Sequence, residues 1–370
     1  MRNLKVIISG GGTGGHIFPS ISIANAIREL HPDAKILFVG AKSRMEMERV
    51  PAAGYEIVGL PVRGLLRPLW KLGNIKVLLD YLKSKRRIKK TIRDFQPNVA
   101  VGVGGYASSA TLNAAYELGI PCLIQEQNSF AGLTNKTLAK KAKKICVAYE
   151  GMERFFPKER IVLTGNPVRQ NLFNKNLTRE ESSAAFGFNP NIPTILLIGG
   201  SLGARTMNES VLHNWNLIST SPIQFIWQTG GYYKNYIQEE LDKKDIPKNV
   251  FITDFISRMD QAYNAADLVL SRAGASSISE ICLLGKPSIL VPSPNVAEDH
   301  QTHNAMALVN KQAAILIRDS EAPQKLIPTA IEIVQNKEML DSLGKNALSM
   351  AFKDSARIIA EEVLKLAKTE

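Results

Sequence analysis

The segment KVIISGGGTGGH (residues 5–16) places an apolar run directly before a glycine-rich loop. The run predicts a buried strand, and the loop carries the spacing GxGxxG from Gly10 to Gly15. Helical spacing of apolar residues follows over residues 21–30. A strand, a glycine loop and a helix in this order bring backbone N–H groups and a helix N-terminus against a phosphate or another anion.

The same order of elements recurs along the chain. Unbroken apolar runs are typical of parallel strands covered on both faces, and their alternation with helical patterns predicts βαβ units and an α/β fold. The pattern restarts at residue 194 with another strand and glycine loop. The predicted strands are residues 5–9, 36–39, 99–103, 122–125, 144–148, 161–164, 194–198, 224–227, 250–252, 268–270, 288–291 and 315–317.

The length of 370 residues predicts two domains at roughly 150 residues per domain. Pro167 restricts the backbone between the two halves of the pattern, so we place the hinge there and expect domains over residues 1–166 and 167–351. A last helix over about residues 352–370 could pack back on the first domain. Two doubly wound, Rossmann-like parallel sheets facing across a cleft would direct their carboxyl ends, where ligands bind, into it.

Composition restricts the class of protein. With 45% hydrophobic and 22% charged residues, the chain is an ordinary globular protein without a disordered bias. Cys122, Cys146 and Cys282 lie in apolar surroundings outside any CxxC pair, which predicts reduced core thiols and argues against structural zinc. The longest uncharged segment, residues 96–116, contains glycines and serines, so it predicts strand, loop and helix rather than a membrane span. A net charge of +12 favours an anionic partner.

His16 stands where the first helix begins. A positive helix end disfavours imidazolium, so a neutral ring suited to act as a base is expected there; the alternative is a capping or packing histidine. A dinucleotide-binding loop is a competing interpretation. It requires an acid at the end of the second strand, where residues 38–41 read FVGA.

The second glycine loop, GGSLGA (residues 199–204), matches the GxSxG nucleophile elbow of serine hydrolases. Asp254 and His300 follow in the order of a triad. A hydrolase would not explain the duplicated glycine loop, so we favour a phosphate-facing turn with Ser201 as a donor.

Two later segments follow predicted strands. Ser277 and Glu280 have the spacing of a capping box, so Glu280 either caps a helix or accepts ribose hydroxyls beside a diphosphate at the helix N-terminus. The cluster Glu298, Asp299, His300 and His303 has no standard zinc spacing, so no metal site is expected.

Residues 63–93 contain eleven basic residues against one acid, Asp80, interleaved with leucines and Trp70. Basic residues beside exposed apolar side chains favour an interfacial anchor on anionic lipid. The alternative is a solvated helix whose leucines face the core. Nucleic acid is disfavoured because no aromatic platform or recognised motif accompanies the run. The expected membrane contacts are Leu66, Leu69, Trp70, Lys71, Leu79 and Lys83.

Eight stretches, in order from Gly10 to Ala305, resemble the UDP-N-acetylglucosamine:lipid I N-acetylglucosaminyltransferases of bacterial peptidoglycan synthesis. They are GGGTGGHIFP, GVGGYASS, EQNSFAG, GNPVR, GGSLGAR, DFISRM, SRAGASSISE and EDHQTHNA. The resemblance covers nearly the whole chain and implies the two-domain GT-B fold. Two departures stand out: Gln125 replaces the usual histidine before EQN, and Leu202 replaces the usual glutamine.

The resemblance also implies residue roles. His16 would be the general base, Ile256 would face uracil through its backbone, and Gln301 would bind the sugar hydroxyls. Ala275 to Glu280 would hold the diphosphate and ribose. The implied donor contacts are Thr13, Gly14, Gly15, Asn128, Arg169, Ser201, Ile256, Ala275, Ser276, Ser277, Ile278, Ser279, Glu280 and Gln301.

The implied reaction transfers GlcNAc from UDP-GlcNAc to the MurNAc 4-hydroxyl of lipid I with inversion, without metal or cofactor. Lipid I, an anionic surface on the cytoplasmic side of the inner membrane, and other cell-wall synthesis proteins would be the partners. Three alternatives remain open at this point: a UDP-GlcNAc 2-epimerase of the same fold, a transferase for another lipid such as diacylglycerol, and a non-catalytic UDP-GlcNAc sensor.

Overall fold

The computed structural model describes residues 4–12, 14–42, 44–64, 70, 73–168, 172 and 177–368. The chain divides into two compact units. Unit 1 is Met1–Arg169 with Phe352–Glu370, and unit 2 is Gln170–Ala351. Each unit is built on one sheet of parallel strands with helices on its faces.

The strands alternate with helices along both units, as the apolar runs predict. In chain order, the strands are β1 (Lys5–Ser9), β2 (Lys35–Ala41), β3 (Glu56–Leu60), β4 (Val99–Gly102), β5 (Cys122–Glu126), β6 (Lys144–Val147), β7 (Ile161–Leu163), β8 (Thr194–Ile198), β9 (Gln224–Gln228), β10 (Val250–Thr253), β11 (Leu268–Ser271), β12 (Ser288–Leu290) and β13 (Ile315–Leu316).

The helices are α1 (Gly14–Leu30), α2 (Glu46–Ala52), α3 (Gly73–Phe95), α4 (Tyr106–Glu117), α5 (Leu133–Leu138), α6 (Arg179–Ala184), α7 (Arg205–His213), α8 (Trp215–Thr220), α9 (Lys234–Leu241), α10 (Met259–Ala265), α11 (Ala275–Leu283), α12 (His300–Val309), α13 (Ala322–Val334), α14 (Lys337–Ser349) and α15 (Ser355–Lys368). Short 3-10 turns lie at Met152–Arg154, Lys158–Arg160, Ala297–Asp299 and Asp319–Glu321.

The strand order places a reversal at the centre of each sheet. Unit 1 has the order β3-β2-β1-β4-β5-β6-β7, and unit 2 has β10-β9-β8-β11-β12-β13. The chain leaves β1 and β8 in one direction and returns beside them with β4 and β11. Ligands of doubly wound sheets bind outside the strand carboxyl ends at such switch points. The glycine loops after β1, β4, β8 and β11 all lie there.

Successive side chains of β1 point to opposite faces of its sheet. Val6 and Ile8 pack in the cluster with α1 and α15, whereas Ile7 packs in the cluster with α4. The packing of α15 against α1 places this C-terminal helix on unit 1. Unit 2 has its own core, in which Ile195 and Leu197 of β8 lie among side chains of α7 and α13.

Each predicted strand overlaps an observed strand, and the α/β prediction is confirmed. The prediction missed β3, whose sequence EIVGL carries an exposed Glu56 and the small Gly59 in a short edge strand. The three cysteines are buried and free of disulfides. Burial raises the pKa of the Cys122 and Cys282 thiols to about 12, so both are unreactive.

Candidate active site

Two glycine loops of unit 1 pack backbone against backbone at the switch point. A Cβ atom on Gly105 would lie 2.6 Å from the carbonyl oxygen of Gly11, and one on Gly104 would lie 2.7 Å from Nε2 of His16. Both Gly104 and Gly105 have positive φ, at 102° and 85°. Both the close approach and the positive φ therefore require glycine at these two positions. The loop after β4 forms one wall of the site around His16.

His16 lies in the first turn of α1 and is half-buried. Its Nδ1 atom is 3.0 Å from the carbonyl oxygen of Gly11. A carbonyl only accepts hydrogen bonds, so Nδ1 carries the hydrogen, and in the neutral ring the lone pair is on Nε2. His16 donates to a loop carbonyl in this contact, which is not how a side chain caps the N–H groups of a helix. The arrangement suits a general base that acts through Nε2.

A buried carboxylate that the sequence analysis missed, that of Glu46 on α2, supports the first glycine loop through hydrogen bonds. Both oxygens of Glu46 accept the N–H of Gly12, at 3.1 and 3.2 Å, and Oε1 also accepts the N–H of Ala41 at 2.9 Å. Glu46 is 0% exposed. The acid missing from the end of β2 is thus supplied from α2, but its oxygens accept the backbone N–H groups of Gly12 and Ala41, so it supports the loop.

Asn128 lies on the loop after β5, two strands from β1. The buried Glu126 carboxylate shapes this loop by accepting the N–H groups of Asn128 and Gly132 and an Nδ2–H of Asn135. Gln127 joins it to the loop after β4 by donating to the carbonyl of Val103 at 2.8 Å. The loops carrying His16 and Asn128 therefore form one connected edge of unit 1.

Gln125, the departure before EQN, is fully buried. Its Nε2 donates to Oδ1 of Asn166 at 3.0 Å, and its Oε1 accepts from Gln127. Asn166 in turn donates to the Gln127 carbonyl at 2.9 Å. Gln125 thus joins the loop after β5 to the GNPVR segment.

The remaining site residues predicted in unit 1 divide into two groups. Gly14 is half-buried and Gly15 is exposed, both at the start of α1. Thr13 and Arg169 lie outside the described residues, as do the membrane candidates Leu66, Leu69 and Lys71.

In unit 2, the loop with Ser201 packs tightly on the loop after β9. A Cβ atom on Gly203 would lie 2.1 Å from the Thr229 carbonyl oxygen, so only glycine fits. Ser201 is exposed beside Leu202, which is 71% exposed. The buried Gln228 side chain, which the sequence analysis missed, donates to the Gly200 carbonyl and accepts the N–H of Ile256 at 3.0 Å. The backbone N–H of Ile256 is thus occupied by Gln228. A contact between the Ile256 backbone and a uracil ring would therefore use the carbonyl oxygen of Ile256.

The structure contradicts the capping-box interpretation of Ser277 and Glu280. The N-cap of α11 is Gly274, so both residues lie inside the helix. Glu280 is 3% exposed, and its Oε2 accepts from the hydroxyl of Tyr263 at 3.0 Å. Along α11, Ala275 and Ile278 are buried, whereas Ser276, Ser277 and Ser279 are partly exposed.

Gln301 lies in the first turn of α12 and accepts the N–H of Ser293 through Oε1 at 2.9 Å, which fixes its amide. Arg272, another residue missed in the sequence, follows β11 and pairs with Asp319. Its Nη2 donates to Thr206 at 3.0 Å. These contacts tie the ends of β11 and β13 to the first turn of α7.

The serine-hydrolase alternative is not supported. Asp254 follows β10 and Asp254 Oδ2 pairs with Lys234 at 2.9 Å, whereas His300 follows β12. Four strand spacings of about 4.8 Å, roughly 19 Å, separate the ends of β10 and β12. Among the described residues, no group of three or more histidine, cysteine, aspartate or glutamate side chains could hold a metal ion.

Helix α3 carries apolar side chains on its solvent face. Leu78 and Leu79 are 58% and 60% exposed, and Trp70 just before the helix is 84% exposed. Lys83 is exposed as well. Lys85 and Lys89 both pair with Glu117, and these contacts lower the pKa of Glu117 to about 2. The alternative in which these leucines face the core is wrong for Leu78 and Leu79.

Comparison with known proteins identifies the family. Residues 6–147 match the glycosyltransferase family 28 N-terminal domain, and residues 194–359 match its C-terminal domain. A Bacteroides fragilis protein named UDP-N-acetylglucosamine--N-acetylmuramyl-(pentapeptide) pyrophosphoryl-undecaprenol N-acetylglucosamine transferase is 60% identical over 99% of this chain and 96% of its own. A Parabacteroides distasonis protein of the same name is 58% identical over 99% of each chain.

Solved structures agree with this comparison. MurG from Acinetobacter baumannii has a TM-score of 0.76 and 27% identity, covering 98% of this chain and 99% of its own. A UDP-GlcNAc 2-epimerase from Neisseria meningitidis shares the fold alone, with a TM-score of 0.68 and 14% identity over 98% of this chain and all of its own. The chain is thus a GT-B glycosyltransferase and belongs to the family of UDP-N-acetylglucosamine--N-acetylmuramyl-(pentapeptide) pyrophosphoryl-undecaprenol N-acetylglucosamine transferases.

Proposed function

We propose that this enzyme transfers GlcNAc from UDP-GlcNAc to the MurNAc 4-hydroxyl of lipid I, giving lipid II with inversion at the anomeric carbon. The names of the Bacteroides fragilis and Parabacteroides distasonis relatives support the donor and the acceptor. The observation that carries the chemistry is the Nδ1 contact of His16 with Gly11, because it leaves Nε2 as the basic atom of the neutral ring.

In the proposed reaction, His16 Nε2 removes the proton of the acceptor hydroxyl while its oxygen attacks the anomeric carbon. The bond to the diphosphate breaks on the opposite face, and UDP leaves. Backbone N–H groups at the start of α11 and in the loop of Ser201 stabilise the charge on the diphosphate without a metal ion. Glu280 takes the ribose hydroxyls in this proposal, and its rigid contact with Tyr263 supports a preorganised carboxylate.

The sugar contacts in the proposal come from side chains with fixed amides. Gln301 is held by the N–H of Ser293, and Asn128 is held by the carboxylate of Glu126, so both amides are already ordered before a sugar hydroxyl binds. Thr13 and Arg169 complete the proposed donor contacts from positions outside the described residues.

The test is UDP release from UDP-GlcNAc with and without a short-chain lipid I analogue. We expect release that depends on the analogue, and His16→Ala is expected to reduce it roughly 100-fold or more, the usual contribution of a general base. Conversion of UDP-GlcNAc alone would indicate an epimerase, and binding without turnover would indicate a sensor. Near-normal turnover by His16→Ala would overturn the base assignment while leaving the transferase assignment intact.

We further propose that the enzyme binds the cytoplasmic face of the inner membrane through α3 and the segment before it. Within the described residues, none of the helices is both long and apolar enough to span a bilayer. The exposed Trp70, Leu78 and Leu79 would enter the headgroup region, and neighbouring basic residues would bind anionic lipid. Lys85 and Lys89 share the single carboxylate of Glu117. The exposed basic residues of α3 that do not pair with it are Lys76, Lys83, Arg86, Arg87, Lys90 and Arg93.

A further inference from the structure

One peptide group of the first glycine loop connects Glu46 to His16. The peptide between Gly11 and Gly12 presents its carbonyl to the imidazole and its N–H to the carboxylate. The carbonyl of Gly11 accepts from Nδ1 of His16 at 3.0 Å, and the N–H of Gly12 donates to both oxygens of Glu46 at 3.1 and 3.2 Å. The two side chains therefore bind opposite ends of the same dipole.

The carboxylate end of this arrangement is rigid and closely packed. Glu46 is completely buried, and Ala41 donates a third N–H bond at 2.9 Å. A Cβ atom on Gly11 would lie 2.1 Å from Oε1 of Glu46, and one on Gly40 would lie 2.6 Å from its Cγ. The two glycines therefore make the space that the carboxylate occupies, and water cannot screen it as it screens a surface charge.

Hydrogen bonds in a chain polarise one another. A negative charge at the N–H end of a peptide strengthens its carbonyl as an acceptor, so the bond to Nδ1–H of His16 becomes stronger. That bond holds the neutral ring with its hydrogen on Nδ1, and it stabilises the imidazolium formed when Nε2 takes a proton. We propose that Glu46 is a positioning residue that acts on His16 through the Gly11–Gly12 peptide.

The proton balance is simple. Nε2 gains the proton of the acceptor hydroxyl, Nδ1 keeps its own, and no proton passes to Glu46. This inference rests on the proposed role of His16 as the base, but the coupling itself is a property of the protein without substrate.

Other charged groups near the two loops differ from Glu46 in exposure. Within the described residues, α1 carries no charged side chain before Arg28. Glu126, the buried carboxylate at the end of β5, is bonded to its own loop. The other charged or titratable side chains within residues 40–49, 61–64 and 102–109 are all exposed, namely Lys42, Arg44, Glu48, Arg49, Arg63 and Tyr106. Water screens these groups, so the pH response of His16 is expected to depend mainly on Glu46.

The direct test is ¹⁵N NMR of the full-length protein labelled at its five histidines, with His16→Ala identifying the signal of His16. In the native protein we expect the Nδ1–H tautomer. Glu46→Gln removes the charge at nearly constant volume, and we expect the titration midpoint of His16 to fall by up to roughly one pH unit. Glu46→Asp keeps the charge and should retain most of the native midpoint, and it serves as the second variant if Glu46→Gln does not fold. An unchanged midpoint and tautomer in a folded Glu46→Gln protein would overturn the coupling, whatever the enzyme's activity.

Kinetics then test whether the coupling serves the reaction. Glu46→Gln should lower kcat about tenfold, the usual loss when a residue that supports a functional side chain is changed. It should leave the KM for UDP-GlcNAc unchanged and move the acidic limb of the plot of kcat against pH to lower pH. In the His16→Ala background, Glu46→Gln should not lower kcat further, because both substitutions act through the imidazole of His16. An equal loss in both backgrounds would show a merely structural role.

Glu126→Gln is the matched control. It also removes a buried carboxylate that accepts loop N–H groups, but it does not touch the Gly11–Gly12 peptide. We expect it to alter the KM for UDP-GlcNAc through Asn128 and to leave the acidic limb in place. A limb that moves equally in both variants would contradict the proposal.

Discussion

A Cβ atom at Gly104 would lie 2.7 Å from Nε2 of His16, closer than real Cβ contacts. Gly104→Ala should therefore displace the imidazole from the position in which it meets the acceptor. We predict a fall in kcat of roughly 100-fold, approaching the loss of the base itself, with unchanged affinity for UDP-GlcNAc measured by calorimetry.

The positive φ of Gly104 complicates that test, because alanine is strained there whatever the available space. Gly119→Ala is the control: Gly119 has φ of 79° and nothing within 4 Å of a built Cβ atom. It should cost about 1 kcal/mol of stability and leave turnover intact. Equal turnover in the two variants would contradict the contact with His16.

The amide network of Gln125 predicts a loss of stability when its side chain is truncated. Gln125→Ala would remove one buried hydrogen bond from Gln127 and one from Asn166, at a cost of about 1–3 kcal/mol. Gln125→His keeps one donor and one acceptor and should lose less. Urea denaturation followed by circular dichroism measures both, and a truncated variant as stable as the native protein would show that the network contributes nothing.

Apolar patterning predicted most of the fold because buried parallel strands are unbroken apolar runs. The runs at residues 5–9 and 194–198 coincide with β1 and β8. The pattern fails for β3, an edge strand in which Glu56 and Gly59 interrupt the apolar run. Edge strands are covered less completely, so their composition is less distinctive.

The candidate site was less predictable because its supporting groups act through the backbone. An acid was sought at residues 38–41, where a ribose-binding carboxylate would lie, but Glu46 reaches the loop from the next helix. Buried glutamates are rare, and no local pattern marks one whose partners are backbone N–H groups. Gln228 was missed for the same reason. The spacing of Ser277 and Glu280 wrongly predicted a capping box, because α11 begins two residues before Ser277.

The half-buried Lys286 predicts a contribution to stability that increases at alkaline pH. Burial lowers the pKa of its ammonium to about 8, while its Nζ donates to the Ala266 carbonyl at 2.8 Å. In the unfolded chain the pKa is about 10.4. Below pH 8 both states are charged, and the cost of burying the charge is present in full. Between these values the unfolded chain holds the Lys286 proton more often than the folded protein does, so this group alone contributes an increase in stability with pH. The thiols of Cys122 and Cys282, whose pKa is raised in the folded protein, contribute a decrease over the same range.

Urea midpoints at several pH values between 7.5 and 10 measure this slope. Lys286→Met should shift the pH dependence of stability in the opposite direction, so that its stability profile rises less or falls more steeply than the native profile, because methionine does not titrate. Lys248→Met, at an exposed position, should follow the native profile. Identical slopes for the native protein and Lys286→Met would refute the assignment.

Charge reversal on α3 tests the membrane proposal. The test variant combines Lys83→Glu, Arg86→Glu and Lys90→Glu. These three residues are exposed and do not pair with Glu117. Each basic group near an anionic surface contributes about 1 kcal/mol, so the triple variant should bind vesicles of phosphatidylglycerol and phosphatidylethanolamine at least 100-fold more weakly. The control is Lys248→Glu, Lys311→Glu and Lys345→Glu, which makes the same change in net charge on exposed positions of unit 2.

Turnover of a soluble lipid I analogue separates membrane binding from catalysis. The α3 variant should keep its activity on the short-chain analogue and lose it on lipid I in vesicles, because only the second substrate requires the enzyme at a surface. Leu78→Ser with Leu79→Ser should weaken vesicle binding without changing its salt dependence, since it removes apolar contact and no charge. If both triple variants bind vesicles equally, attraction depends on net charge alone, and α3 is not the anchor.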